Sequence, residues 1–465
     1  MLAVHFSLTS LAGAPVRLVS ALNKYTDIKA RLVTLNPVIR GMVFEQDLVW
    51  RDDQKAALEL LDSADIIHLH NYFRLDANQF SIDFSSYLKR GVKVVRQFHT
   101  SPYTLAKRGG FEVETIVDDP LPQLVISQFH ERYYPHARLV PNIVGNINKR
   151  PPPARSDDII RIAYTPSNQN PTTRRWDNKG FYETECILDT LQEKYSQVEV
   201  IIAKGIPYSE CLAIKQSADI VIDEVVTGSF HLSGLESLAM GIPTIAYLDQ
   251  RTIETVIKIT GAKKLPWINC NLLTLEVMLT RLIEDAELRQ CIGDFSSAWM
   301  NKYWTDKQNL VFYTAAYNDL LNNKNYLAED RFQTTNKLDC WDAYEYSNLI
   351  WKSNWIVNET RCVELWADYA NACSGRLIVY GYGEYGQELL AILIRTSLEL
   401  PYCFIDKEAE KYADSAVPIV APDSLQYASN DFVLLASPRV EVRRGMRDYL
   451  CEINCKAGVF PFLCR

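Results

Sequence analysis

Short apolar runs alternate with amphipathic stretches along most of the chain. Met1–Leu8, Arg31–Leu35, Asp65–His70, Lys93–His99 and Gln123–Ser127 are near-continuous apolar runs bounded by turn residues, as buried parallel strands are. Between them, Pro15–Lys24 and Gln54–Ser63 carry helical spacing, and Pro15 suits a first helical turn. Thr9–Ala14 is a small-residue loop joining the first strand to the first helix. This alternation predicts a mainly parallel sheet covered on both faces.

The pattern is interrupted at Lys149–Asp158, KRPPPARSDD, where three prolines and charged flanks predict a linker. A second alternating unit runs from Ile159 to Leu321, with strand-like runs at Val198–Ala203, Ile220–Ile222 and Pro243–Leu248. Its last segment, Trp304–Leu321, is aromatic and helical, and long enough to pack across two domains. Residues 325–374 differ in texture, with Trp341, Trp351, Trp355 and Trp366 among charged residues, and are expected to form a helical connector that buries aromatics. From Arg376 the runs LIVYGYGEYGQELLAILI, YCFID, VPIVAPDSL and DFVLLASP read as strand, glycine turn, helix and further strands. The expected organisation is therefore α/β throughout. It comprises a Rossmann-like domain at 1–150, a second at 151–323, a connector at 324–374 and a small C-terminal Rossmann-like domain at 375–465.

Composition narrows the function classes. A chain of 465 residues exceeds a single core, and 48% hydrophobic residues suit a globular protein. A net charge of −8 argues against a general nucleic-acid binder. No apolar run approaches the ~20 residues of a membrane span, and the N-terminus lacks the basic region of a signal peptide. Eleven cysteines follow no repeated spacing; Cys451 and Cys455 form the nearest pair, no histidine stands beside them, and no metal site is expected. Reduced thiols in a cytoplasmic setting follow from the same reading.

Candidate chemistry concentrates between residues 162 and 249. Glu236 sits in a helical pattern beside glycines, where parallel strands place their loops at the carboxyl edge of a sheet. Ser233, Gly234 and Leu235 open that helix, so their amides are placed to face an anion. Upstream, Arg174, Arg175, Lys179 and Gly180 lie where a strand runs into a helix. In the first domain Gly13 sits between two alanines after the first strand, which also suits any tight turn. His99 closes KVVRQFH, and His70 and Asn71 end the neighbouring run. His68 is assigned to the opposite strand face from His70 and to a structural role.

The stretch ADIVIDEVVTGSFHLSGLESLAMGIPTIAYLD resembles the donor-nucleotide half of GT-B glycosyltransferases, in particular the retaining enzymes of family 4. The resemblance spans residues 1–320 and is strongest from Ile162 to Asp249. It implies a GT-B arrangement of the first two domains and sugar transfer from a nucleotide-diphosphate donor to a glycan or lipid-linked acceptor, with retention and without a metal. Glu236 matches the second glutamate of the family's Glu-x7-Glu motif, which accepts hydrogen bonds from the donor ribose. The first falls on Gly228, leaving Asp223 and His231 as local candidates for holding the donor sugar. Lys179 beside Gly180 matches the family's Lys-Gly, and Lys179 with Arg174 or Arg175 would stabilise the departing diphosphate. Gly13 would let the backbone approach donor or acceptor, and His99 would lie near the reacting sugar. LVPNIV (Leu139–Val144) resembles the Pro-Asn-Gly element before the family's interdomain linker. Bacterial surface-glycan assembly, with partner assembly enzymes, is the setting this branch implies.

Two features remain. Lys89, Arg90, Lys93, Arg96, Lys107 and Arg108 face one acidic residue, Asp83, between Ser81 and Gly110, and read either as a solvated face or as a patch for peripheral membrane attachment. In the C-terminal domain Gly381, Gly383 and Gly386 fit Gly-x-Gly-x-x-Gly after a strand, and Asp406 stands twenty residues later. A nucleotide or NAD there, or a purely structural unit, are the two readings. Two rival functions follow: an NAD-dependent sugar oxidoreductase or epimerase acting through this domain, and a non-catalytic nucleotide-sugar-binding subunit.

Overall fold

A computed structural model describes the chain apart from residues 40–41, 129–133, 146, 148–157, 167–179, 204, 323–358, 413–414, 438–439 and 463–465. The linker at 149–157 and Trp341, Trp351 and Trp355 of the expected connector therefore lie outside the described residues. Contacts divide the chain into two compact units. One is Met1–Ser167, Gln197–Cys270 and Arg281–Tyr344, and the other Asn168–Ser196, Asn271–Thr280 and Glu345–Arg465.

The first unit holds two parallel sheets. The first sheet contains β1 (Leu2–Thr9), β2 (Lys29–Asn36), β5 (Leu48–Val49), β6 (Ile66–His70), β7 (Lys93–Phe98), β8 (Gln123–Ile126) and β9 (Ala137–Val140), while β3 (Val38–Ile39) and β4 (Met42–Val43) form a separate antiparallel pair. Its order is β5-β2-β1-β6-β7-β8-β9. The chain thus reverses its direction of progress between β1 and β6, and such switch points open crevices at the carboxyl ends of strands. Alternate residues of β1 serve opposite faces. Ala3 packs with Leu18 and Leu22 of the helix Ala14–Tyr25 and with Tyr313 and Tyr317 of the helix Asp306–Leu321. Val4 and Phe6 pack instead with Ala57, Leu61, Phe80 and Phe84.

The second sheet is β11-β10-β12-β13-β14, built from β10 (Ile160–Tyr164), β11 (Val198–Ile202), β12 (Ile220–Glu224), β13 (Thr244–Ala246) and β14 (Ile268–Asn269). Its switch point lies between β10 and β12. The expected aromatic segment spans the two sheets of this unit. Trp304 lies in the core with Phe230, Leu232 and Trp267, whereas Tyr313 and Tyr317 pack on the first sheet. Trp304 Nε1 and Asn309 Nδ2 donate to the Asn142 carbonyl at 3.1 and 3.3 Å, and Tyr313 Oη donates to the Pro141 carbonyl at 3.0 Å. The LVPNIV element is the segment that this helix clamps.

The second unit carries the third sheet, β17-β16-β15-β18-β19, from β15 (Leu377–Tyr380), β16 (Cys403–Ile405), β17 (Ile419–Val420), β18 (Phe432–Leu435) and β19 (Gly458–Pro461). All its pairings are parallel. The helix Glu359–Ala372 buries Trp366 against Leu389 and Phe462, and Trp366 Nε1 donates to the Glu399 carbonyl at 2.8 Å.

The basic run of the first domain is not one surface. Arg96 is buried, ion-paired to Asp119 at 2.8 Å, and donates to the carbonyls of Asn71 and Phe73. Its place in the middle of β7, a strand covered on both faces, explains the difference from the sequence expectation. Among the described residues no helix is long and apolar enough to cross a membrane.

Candidate functional site

The crevice at the switch point of the second sheet is built by the segments that leave β10, β11 and β12 at their carboxyl ends. Thr165, just past β10, places Oγ1 3.2 Å from Oγ of Ser233. Ser233 lies in the first turn of the helix Leu232–Ala239, which follows β12. The two hydroxyls therefore meet across the switch point, beside the positive end of a helix. Asp223 sits beneath that helix start. Its Oδ2 accepts the His231 N–H at 2.6 Å, and a Cβ on Gly234 would stand 2.4 Å from the same oxygen. Glycine at 234 is thus required for the carboxylate to reach its place. The His231 ring lies 3.5 Å from Asp223.

Glu236 is buried and is gripped by three side chains from two helices. Arg17 Nη2 donates to Oε1 at 2.7 Å, Lys215 Nζ to Oε2 at 2.6 Å and Tyr208 Oη to Oε1 at 3.1 Å. Lys215 also donates to the Ser233 carbonyl at 3.2 Å. Tyr208 and Lys215 lie on the helix Tyr208–Ser217, seven residues apart and hence on one face. Arg17 comes from the helix after the Gly13 turn and stacks its guanidinium over the Tyr208 ring, 4.9 Å from the centroid. Its Nη1 is a buried donor with no hydrogen-bond partner. Burial alone would raise the Glu236 pKa, but Lys215 and Arg17 outweigh it and hold the carboxyl below its usual range. Tyr208 is pushed up by burial and by that neighbouring carboxylate. Arg17 and Glu236 are 219 positions apart in sequence, yet they join the carboxyl edges of the first and second sheets.

The position that the resemblance assigns to a first glutamate is held by a backbone constraint. Gly228 has φ +75°, and a Cβ there would lie 3.1 Å from Asp249 atoms. Its carbonyl accepts from Asp249 N and Thr252 Oγ1 at 3.0 and 2.8 Å. Four residues earlier, the buried Glu224 accepts from the amides of Val226, Thr227 and Ser229 and so fixes the same loop.

On the first sheet, Gly13 has φ +79° and starts the helix that carries Arg17, while a Cβ at 13 would meet the Phe44 ring at 2.9 Å. His99 follows β7. Its backbone N–H donates to Asn71 Oδ1 at 2.8 Å, and its Nε2 lies 2.9 Å from His70 Nδ1. Burial lowers the His99 pKa to about 3, so the ring is neutral near pH 7. His68 and His70 share a strand face, in contrast to the sequence expectation: two residues along a strand return the side chain to the same side. Their rings stack at 4.5 Å.

In the second unit the glycine turn takes its expected form. Gly381 has φ +104°, and a Cβ on Gly386 would collide with the Gly381 carbonyl at 2.1 Å. Gly383 precedes the first residue of the helix Glu384–Arg395. Asp406 closes on this turn: Oδ2 accepts the Tyr382 N–H at 2.8 Å, and Oδ1 that of Glu408 at 2.9 Å.

Of the sequence candidates, the structure brings Asp223, His231, Ser233, Gly234 and Glu236 together, and Arg17 links Glu236 to the helix that Gly13 starts. Arg174, Arg175 and Lys179 lie outside the described residues, directly before Gly180, which has φ +68° and starts the helix Phe181–Lys194. Sequence reasoning missed Arg17, Tyr208 and Lys215. Arg17 had a readable signal, since a cation early in a helix opposes the dipole unless an anion meets it.

No family model and no curated protein sequence matches this chain. Similar solved structures include S. aureus MnaA with UDP, at 13% identity over 70% of this chain and 99% of that one, TM-score 0.41. Sucrose-phosphate synthase from Thermosynechococcus elongatus is 12% identical over 70% of this chain and 100% of its own, TM-score 0.44. An alpha-glucosyltransferase in complex with UDP and a 13-mer DNA is 13% identical over 69% and 99%, TM-score 0.45. Every one of these scores lies below 0.5, and the α/β class rests on the strand orders and parallel registers of the three sheets.

Proposed function

We propose that the chain is a glycosyltransferase of GT-B type that uses a nucleotide-diphosphate sugar, with the donor bound at the switch point of the second sheet. The observation that carries this reading is the Arg17–Glu236 contact, which joins the carboxyl edges of two parallel sheets beside a helix N-terminus. The Thr165 and Ser233 hydroxyls and the first amides of the helix Leu232–Ala239 would receive the diphosphate. Arg17 Nη1 supplies a buried cationic donor at the same place. Glu236 already accepts three hydrogen bonds, so one acceptor site remains for a ribose hydroxyl. Its larger role would be to hold Arg17 and Lys215.

In this mechanism, negative charge grows on the leaving diphosphate as the bond to the anomeric carbon breaks. Lys179, with Arg174 or Arg175, would stabilise it, and the diphosphate oxygens would help take the acceptor proton. His99, neutral at the carboxyl end of β7, would orient an acceptor hydroxyl. We further propose retention of configuration, side-chain cations rather than a metal at the leaving group, and a glycan or lipid-linked acceptor in surface-polysaccharide assembly. Lys179→Ala should lower turnover about 30- to 1,000-fold, read as nucleoside diphosphate released from a panel of UDP-, GDP- and ADP-sugars. Wild-type turnover in that variant would remove Lys179 from the site, and no release from any donor would favour a binding subunit. In the NAD reading, Asp406 would meet a ribose hydroxyl with oxygens that already accept the Tyr382 and Glu408 amides.

A further inference from the structure

We propose that His5, His68 and His70 form a binding site for one first-row divalent cation of the zinc class, set inside the first sheet beneath the helix Asp306–Leu321. The register places His5 of β1 opposite His68 of β6, and Ser7 opposite His70, so all three imidazoles project from one face across the switch point. All three are fully buried, and one nitrogen of each lies within 4.8 Å of the other two. His5 Nδ1 and His70 Nε2 are 3.0 Å apart, against ~3.3 Å for two ligands at ~2.0–2.1 Å from a tetrahedral ion. Binding would have to draw the His68 nitrogen in from within 4.8 Å to the same spacing.

The other ring nitrogens are already held as ligand histidines require. His70 Nδ1 meets His99 Nε2 at 2.9 Å, His68 Nδ1 meets Tyr317 Oη at 2.6 Å, and Tyr317 Oη lies 3.4 Å from His5 Nε2. Such partners fix the tautomer and aim the free lone pair.

A chain of hydrogen-bonded neutral imidazoles is the competing account, and it leaves two ring nitrogens, His68 Nε2 and His99 Nδ1, without partners. His68 Nε2 is buried with no hydrogen-bond partner, and a proton chain would end there in the core. Gln97 donates through Nε2 to Tyr313 Oη at 3.2 Å and also acts on the His68 ring as a side-chain hydrogen-bond partner, so its Oε1 is the one group the competing account can offer there. A cation shared by His5, His68 and His70 engages His68 Nε2, with Gln97 Oε1 or a solvent oxygen completing four ligands. The site joins β1 to β6 and meets the sugar-transfer reading only at His99, which holds His70 Nδ1.

The test uses the full chain without a histidine tag, stripped with chelator and titrated with Co²⁺ and then Zn²⁺. About one Co²⁺ per chain should bind, with the intense visible absorption of a low-coordinate nitrogen site, and one Zn²⁺ should displace it. Tyr317→Phe should weaken binding about 10- to 100-fold, and His68→Gln should weaken it more. If His68→Gln does not fold, X-ray absorption of the wild-type zinc form decides, with three imidazole ligands expected. Substoichiometric binding by folded wild type, affinity unchanged in Tyr317→Phe, or fewer than three imidazoles would each overturn the proposal.

Discussion

At Glu236, burial and charge act in opposite directions, and the two cations decide the outcome. Glu236→Ala would leave Lys215 and Arg17 buried without their carboxylate, which typically costs about 3–5 kcal/mol. Chemical denaturation of the two proteins measures this directly, and a loss under 1 kcal/mol would mean that solvent replaces the carboxylate. The sign of the pH effect follows from the lowered folded pKa. The stabilisation is complete above the ordinary value of 4.5 and is lost as pH falls through the folded value. Gly228 makes the converse case. Placing at 228 the glutamate of the Glu-x7-Glu pattern that the sequence resembles forces a side chain into a φ of +75° against Asp249. Gly228→Glu should therefore destabilise by about 1–3 kcal/mol and fail to raise transfer activity. A variant as stable and more active than wild type would show that the loop accommodates it.

At the scale of elements, the strands that sequence located best are those buried on both faces, because continuous apolar runs leave no ambiguity of period. Asp65–His70 and Lys93–His99 became Ile66–His70 and Lys93–Phe98. β9 escaped as an element, since its four residues merge into the LVPNIV turn. The histidine group was illegible for another reason. His5 and His68 come together only through strand register, and the His68–His70 pair reads as a face-sharing couple only when the period of two is respected. Arg17, Tyr208 and Lys215 were hidden similarly, because their shared partner is distant in sequence. Burial holds His5 and His99 at pKa values of about 3, below the ordinary 6.5. The unfolded chain binds protons in that interval and the folded chain does not, so stability is complete above 6.5 and falls toward 3. The slope should approach ~1.4 kcal/mol per pH unit for each such histidine. Urea midpoints, with chelator present, should stay level from pH 7.5 to about 6.5 and then drop toward pH 5; a profile flat throughout would mean the rings protonate while folded.

For the whole molecule, the α/β class and the three sheets were legible because each unit repeats one local pattern, whereas the link between carboxyl edges is a tertiary fact. In the proposed reading, that link is what would turn two adjacent sheets into one nucleotide-diphosphate site. The third sheet, with its glycine turn closed by Asp406, is separate chemistry or none. Calorimetric titration separates these directly, with UDP, GDP, ADP and NAD added to wild type and to Glu236→Gln at a temperature where both keep native circular dichroism. One nucleoside diphosphate should bind wild type near one equivalent and weaken at least about tenfold in the variant, a difference of ~1.4 kcal/mol. Binding of NAD alone, indifferent to Glu236, would contradict the account and move the chemistry to the third sheet.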